Sequence, residues 1–527
     1  MTMRMFTFMG LCLGLTTALY AGGPQKSTLA RAAAPARGDA AAVAAAVRDF
    51  RSAHQYEIIR EFAEFLAIPN IASDAPNIAR NAERLGQMLE ARGIHPQMLP
   101  LPGRGPLVFA QINAPGATRT VVFYAHYDGQ PVDPAVWIAN QPFEPMLFTA
   151  ALAAGGKQIP FPQPPAKYED DWRIYARSAS DDKAAIVAIL TALDALRANH
   201  IPLGVNVKLL FDSEEEAGSP HLDAAVNEHR DLLGGDLLLV CDGPADQSGR
   251  PQVVFGNRGV VDAEITVYGP ARPLHSGHYG NWAPNPAMRL AQLLASMKDA
   301  EGRVLIAGFY DDVAPLGALE RQAIAEAPKN EDALERELAI AQPDGGGKRL
   351  VELIYEPSLN IRGLRSAYVG EQSQNVIPER AIASLDMRLV KNIQPDARVA
   401  RLIAHIEKQG YTVFRREPTL EERGKYPRVA RVDSGGGYPA THTPMDLPAA
   451  AALVAVVAAA TGEAPVRLPT LGGSVPMFSF ERLGMPVVGV PIANYDNSQH
   501  AANENIRIGN LWRGVDTFGG ILAALNW

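Results

Sequence analysis

The sequence predicts an α/β protein: a sheet domain interrupted by an inserted ferredoxin-like α+β domain. Three observations predict it. The run 207–211 is mostly apolar and leads into Asp212-Ser213-Glu214-Glu215-Glu216 with Gly218 behind it, as a covered strand runs into a turn at its carboxyl end. Two further strand-like runs, 120–125 and 237–241, also deliver polar residues at their ends, His126-Tyr127-Asp128 and Asp242. From 261 to about 411 the segments follow a β-α-β-β-α-β order, that of a ferredoxin-like unit. At 527 residues the chain also exceeds one ordinary core.

The composition, 47% hydrophobic and 20% charged, is that of a soluble globular protein. A net charge of −8 provides no electrostatic footprint for nucleic acid. Residues 1–21 read as an export signal. Arg4 supplies the positive region, 5–15 the apolar core, and 16–21 the small-residue end, with cleavage after Ala18 or Ala21. The expectation is a periplasmic or secreted protein without a stable membrane anchor, because the apolar core is short for a span and nothing later reads as one. Cys12 lies in that core, so the mature chain keeps Cys241 alone and forms no internal disulfide. Residues 22–46, rich in Ala, Pro and Arg, read as a linker.

The first part of the sheet domain is expected over 47–260. Helical periodicity covers 47–65 and 78–92, and strands 107–112 and 120–125 follow. His126 and Asp128, two apart in extended chain, project to the same face, so one can ligate a metal while the other orients its imidazole. A long Pro-rich connection spans 131–175, a length usually functional or disordered. Ser180-Asp181-Asp182-Lys183 opens a helix over 184–199, where a carboxylate also has a plain explanation as a cap. After the Glu triplet come a helix over 220–233 and the strand 237–241. If these strands share a sheet, His126, Asp128, Glu215, Glu216 and Asp242 line one edge of it, where open α/β sheets place their chemistry. Adjacent acids repel one another, and a bound cation would relieve that.

The insert is expected over 261–425. Strand 261–268 precedes His275-Ser276-Gly277-His278, and Asn285-Pro286 opens a helix to about 297 with Asn as cap. The charged stretch 319–349 reads as a surface helical insertion. Strands 358–364 and 381–389, a helix over 397–408 and a strand from Tyr411 complete the unit. The second part of the sheet domain, 426–527, resumes near Val432. It has a helix over 444–461 with Thr443 as cap and Gly462 as stop, a Gly472-Gly473-Ser474 loop, a strand over 486–491, and then His500-Ala501-Ala502-Asn503-Glu504.

Five blocks, at His126, Ser180, Glu215, His275 and His500, occur in an order that resembles the carnosinase, aminoacylase and carboxypeptidase G group of dinuclear zinc peptidases, closest to the carnosinase-like dipeptidases. The resemblance implies a catalytic domain with an inserted lid and dimerisation domain, and a homodimer. It implies two divalent metal ions per chain, Zn2+ with Mn2+ or Co2+ as alternatives. Asp181 would bridge them, His126 and Asp242 would complete one site, and Glu216 and His500 the other. Glu215 would be the general base, which leaves Glu214 solvated and without a role, and Asp128 would orient His126. His275 would reach the partner's site as donor to the tetrahedral oxyanion, and Arg388 and Gly473 would hold the substrate's carboxylate and backbone. The sequence departs from the group at Ala176 and Ser178, where glycines are usual, and at Thr470-Leu471, where Arg-Glu is common.

The expected function is an exported zinc hydrolase that cleaves the amide of a dipeptide or short peptide at a free carboxylate end. An N-acyl amino acid deacylase is the alternative, since one metal site serves both reactions. An inactive fold kept for binding fits less well, because no ligand or base position is lost.

Overall fold

The computed structural model describes residues 38–527, so the export signal and most of the expected linker lie outside the described residues. The main sheet has the spatial order Pro96–Leu99, Leu107–Ile112, Asn206–Asp212, Thr120–His126, Leu237–Val240, Val487–Gly489, Gln252–Val254, Val466–Leu468. From Asn206–Asp212 to Val487–Gly489 neighbouring strands run parallel, so the segments that follow them leave from one edge.

The sheet is covered on both faces. Val121, Phe123 and Ala125 enter one apolar cluster, Val122 and Tyr124 another. That double burial is why these strands read as continuous apolar runs. Lys208 is the polar intruder in its strand, and its Nζ donates to the carbonyls of Asp231 and Gly234.

One face carries the helices Ala40–Ala53, Lys183–Ala198, Pro448–Thr461 and Ile508–Ala524, packed on one another. The first of these corrects the linker expectation over 22–46. Asp39 Oδ1 accepts from Ala42 N at 3.0 Å and starts the helix at Ala40. Ala40, Val43, Ala44 and Val47 are buried. An Ala-rich run mimics linker composition, but Ala is the strongest helix former and lets helices approach closely. The helix expected over 47–65 is two, Ala40–Ala53 and Gln55–Leu66, broken at His54.

The inserted domain is a five-stranded sheet ordered Ser358–Arg365, Arg380–Leu389, Gly259–Tyr268, Val429–Tyr438, Thr412–Phe414. Helices Pro286–Ala295 and Pro395–Lys408 contribute to the same core. The expected boundary at 425/426 and the return near Val432 are corrected. Val429–Tyr438 pairs antiparallel with Gly259–Tyr268 and takes the fourth ferredoxin position, because Ala430 and Val432 bury in the insert's core. The strand beginning near Tyr411 exists, but as a parallel edge strand beyond it.

The Pro-rich connection is ordered. Met146–Phe148, Gln158–Ile159 and Arg173–Tyr175 form a small sheet with Asn505–Arg507. The helix expected to start after Thr443 starts at Pro448, while the Thr443 hydroxyl donates to Val487 O and accepts from Val487 N. Gly462 ends it in the left-handed conformation at φ 74°. Among the described residues no helix is long and apolar enough to cross a membrane.

Candidate metal centre

The carboxyl ends of the central strands bring His126, Glu215, Glu216, Asp242 and His500 together, and the turn before helix Lys183–Ala198 adds Asp181 and Asp182. His126 Nε2 lies 2.8 Å from Asp181 Oδ1. His500 Nε2 lies 3.2 Å from Asp181 Oδ2 and 3.3 Å from Glu216 Oε2, with its ring open to solvent. Two triads have ligand atoms within 4.8 Å of one another: His126, Asp181 and Glu216, and His126, Asp182 and Asp242. Asp182 is the residue that sequence reasoning missed. Its signal was the acid pair in Ser180-Asp181-Asp182-Lys183, which a helix cap could also explain.

A layer of supporting contacts holds these groups. Asp128 Oδ1 lies 3.3 Å from His126 Nδ1, and the same carboxylate accepts from the backbone amides of Glu215 at 3.1 Å and Glu216 at 3.0 Å. It therefore orients the imidazole and the acidic turn together. Gln130 Nε2 donates to Glu216 Oε2 at 2.7 Å, and Gln499 Nε2 to Asp181 Oδ2 at 3.3 Å. Glu504, fully buried, accepts from the amides of Ser178, Ser180 and Asp181 and from Arg177. Ser178 sits at φ 62°, a left-handed conformation that glycine adopts most readily. Asn70 Nδ2 donates to its hydroxyl.

Glu214 is not solvated, as the sequence reading had it. It is fully buried and accepts from His221 N at 2.8 Å and from His221 Nδ1.

Three expected residues belong to the insert and its junction. Arg388 Nη1 donates to Ser474 Oγ at 2.8 Å, which ties it to the Gly472-Gly473-Ser474 loop. The Gly473 carbonyl accepts from Arg258 N at 3.2 Å. His275 is exposed, its Nδ1 accepts from Gly277 N at 3.0 Å, and it makes no hydrogen bond or ion pair with the acidic cluster of its own chain among the described residues.

The electrostatics call for positive charge. Burial first, and the neighbouring carboxylates next, push Asp182 and Asp242 above the usual carboxylate range. Burial also raises Glu216, with Asp181 adding to it. Burial raises Glu215 as well, against the pull of His126. For Asp181, the hydrogen bonds and charges of His126 and His500 more than offset burial and hold it low. Asp242 Oδ1 is buried and has no hydrogen-bond partner among the described residues. Clustered carboxylates, an orphaned acceptor and flanking imidazoles fit a divalent ion of borderline character.

The wider comparisons agree with this chemistry. Residues 122–524 match the model of peptidase family M20/M25/M40. The chain is 26% identical over 498 residues to human Beta-Ala-His dipeptidase, covering 88% of this chain and 89% of that protein. It is also 26% identical over 494 residues to the Cys-Gly metallodipeptidase DUG1 of Candida albicans, covering 88% and 94%. Among solved structures, the M20 family metallo-carboxypeptidase Sso-CP2 of Sulfolobus solfataricus superposes with a TM-score of 0.74 at 29% identity, covering 89% of this chain and 99% of that one. With a family match that takes in the strand ends, the acidic turn and the insert alike, this chain is a metal-dependent hydrolase belonging to peptidase family M20/M25/M40.

Proposed function

We propose that the protein is an exported dipeptidase that hydrolyses the amide bond of dipeptides or short peptides with a free carboxylate, using two divalent metal ions. The observation that supports it most is the gathering of carboxylates and imidazoles around Asp181, with His126 on one of its oxygens, His500 on the other and on Glu216, and Glu215 left out of both ligand triads. The names of the relatives, dipeptidases both, favour a peptide over an acyl amino acid.

In this reading Asp181, His126 and Asp242 would hold one ion, and Asp181, Glu216 and His500 the other. When bound, the ions supply Lewis-acid polarisation of the scissile carbonyl and acidify a water. Glu215, held by its amide to Asp128, would accept the proton of the attacking water and later pass it to the leaving amine. Asp182 lies close enough to His126 and Asp242 to add charge to the first site. Arg388 meets the substrate carboxylate beside the Gly473 loop.

His275 serves the partner's site in a two-fold dimer. Supporting this are its exposure in its own chain and the apolar side chains that the insert exposes. Trp282 is 80% and Val369 87% exposed, and the edge strand Ser358–Arg365 presents Ile361 and Leu364 to solvent. Such an edge is suited to closure by a second copy.

Metal analysis of active enzyme tests the core of the reading. Two ions per chain, with activity lost to chelators and restored by Zn2+, Mn2+ or Co2+, are expected; one ion or none in active enzyme overturns it. The mature chain is expected to begin near Leu19 or Gly22 outside the cytoplasm, and amino-terminal sequencing that finds Met1 on cytoplasmic protein refutes export.

A further inference from the structure

Register across the inserted sheet places a residue beside Arg388 that neither sequence motifs nor the proposed mechanism used. Val260 faces Arg388 on one neighbouring strand and Tyr438 on the other. Residues paired across strands share a face, so Arg388 and Tyr438 project from the same side of the sheet. Two strand spacings separate them, roughly 10 Å along the row, and side chains of this length can converge on one ligand. That side is the one turned away from the insert's core, because the alternate residues Val261 and Met387 are the buried ones.

Tyr438 is also the last residue of its strand before the chain returns to the main sheet domain. Its ring stacks on Phe478 of that domain, with centroids 6.1 Å apart and planes at 10°. The ring is therefore held from behind. Its hydroxyl has no hydrogen-bond partner among the described residues. Burial, then the charge of Glu215, keep that hydroxyl protonated well past neutrality, while Arg388 pulls the other way. Tyr438 thus feels both the proposed base and the proposed carboxylate anchor, and as a neutral phenol it has a proton to donate to a carboxylate.

In a dipeptide the scissile carbonyl carbon and the terminal carboxylate carbon are roughly 4 Å apart by standard bond lengths. A substrate with its reacting amide at Glu215 and its carboxylate toward Arg388 can reach the Tyr438 hydroxyl, on which the charges of both residues act. We propose that Tyr438 is a specificity-determining residue for the leaving amino acid: its O–H donates to the substrate's terminal carboxylate alongside Arg388, and its ring walls the subsite for that residue. This rests on the dipeptidase reading.

The test compares wild type and Tyr438→Phe on a dipeptide and on the same dipeptide with its carboxylate amidated. Phenylalanine keeps the ring and its stack on Phe478, and equal metal content and melting temperature establish that the site is intact. The expected result is a rise in KM of roughly tenfold or more on the free acid, as for loss of a hydrogen bond to a charged group, and a several-fold smaller loss on the amide. The acid-over-amide preference should shrink accordingly. Equal losses on both substrates, a loss confined to kcat, or an unchanged preference overturns the proposal. A wild type that cleaves dipeptides without preferring the acid overturns it while sparing the peptidase reading, and a wild type inactive on dipeptides overturns both. Should Tyr438→Phe fail to fold, Tyr438→Met, which also removes the phenol and adds no N–H or O–H donor, carries the test, and an unchanged acid-over-amide preference in it overturns the proposal.

Discussion

At the residue scale the sharpest question is the division of labour within Glu214-Glu215-Glu216. One faces inward to His221, one lies free beside the triads, and one belongs to a triad. Glu215→Gln should abolish turnover while both metals stay bound, because the isostere removes only the proton acceptor. Glu216→Gln should instead lower metal content. Metal analysis of the two variants beside their rates checks this, and exchanged behaviour would move the register by one. Glu504 touches no proposed substrate atom, yet it gathers the amides of Ser178, Ser180 and Asp181 around one carboxylate. Glu504→Ala leaves Arg177 uncompensated in the interior, so stability should fall by about 3–5 kcal/mol in denaturant unfolding.

At the element scale the amino-terminal helix Ala40–Ala53 is part of the core. It lies against Ile508–Ala524 so closely that a Cβ on Gly519 would fall 2.7 Å from Val47 Cγ2. Gly519→Ala should therefore destabilise by about 1–3 kcal/mol through overpacking. Val47→Ala in the same chain should recover part of that loss, which a double-mutant cycle of unfolding free energies measures. Additive losses would mean that the two helices do not meet there. The contact joins residues separated by almost the whole chain, so it also ties the start of the sheet domain to its end.

At the scale of the whole molecule the insert interrupts the main sheet domain and returns to it through Tyr438, next to the proposed site. If His275 serves the partner's metals, His275→Ala and Glu215→Gln homodimers should both be nearly inactive. A mixed dimer has one site lacking both groups and one site intact. Equal mixing makes about half the dimers mixed, so roughly a quarter of all sites should recover. Subunit exchange is followed first with tagged chains. Mixed dimers that form without recovered activity would place His275 in its own chain's site.

Much of the centre was legible in the chain alone. Strands buried on both faces announce themselves as apolar runs, and the residues just past their ends, His126, Glu216 and Asp242, can be read without coordinates. The composition of 40–46 suggested a linker, and only packing against Ile508–Ala524 makes it a helix, since propensity needs a partner surface to be realised. Likewise Val429–Tyr438 could belong to either domain by pattern; pairing with Gly259–Tyr268 assigned it to the insert. Local sequence determined which residue types stand at strand ends, because strand periodicity is a local property. The packing of helix Lys183–Ala198 against the sheet decided that Asp182 comes beside Asp242, and strand pairing that Tyr438 stands in the row of Arg388, because contact and register between distant segments are written in no single stretch of chain.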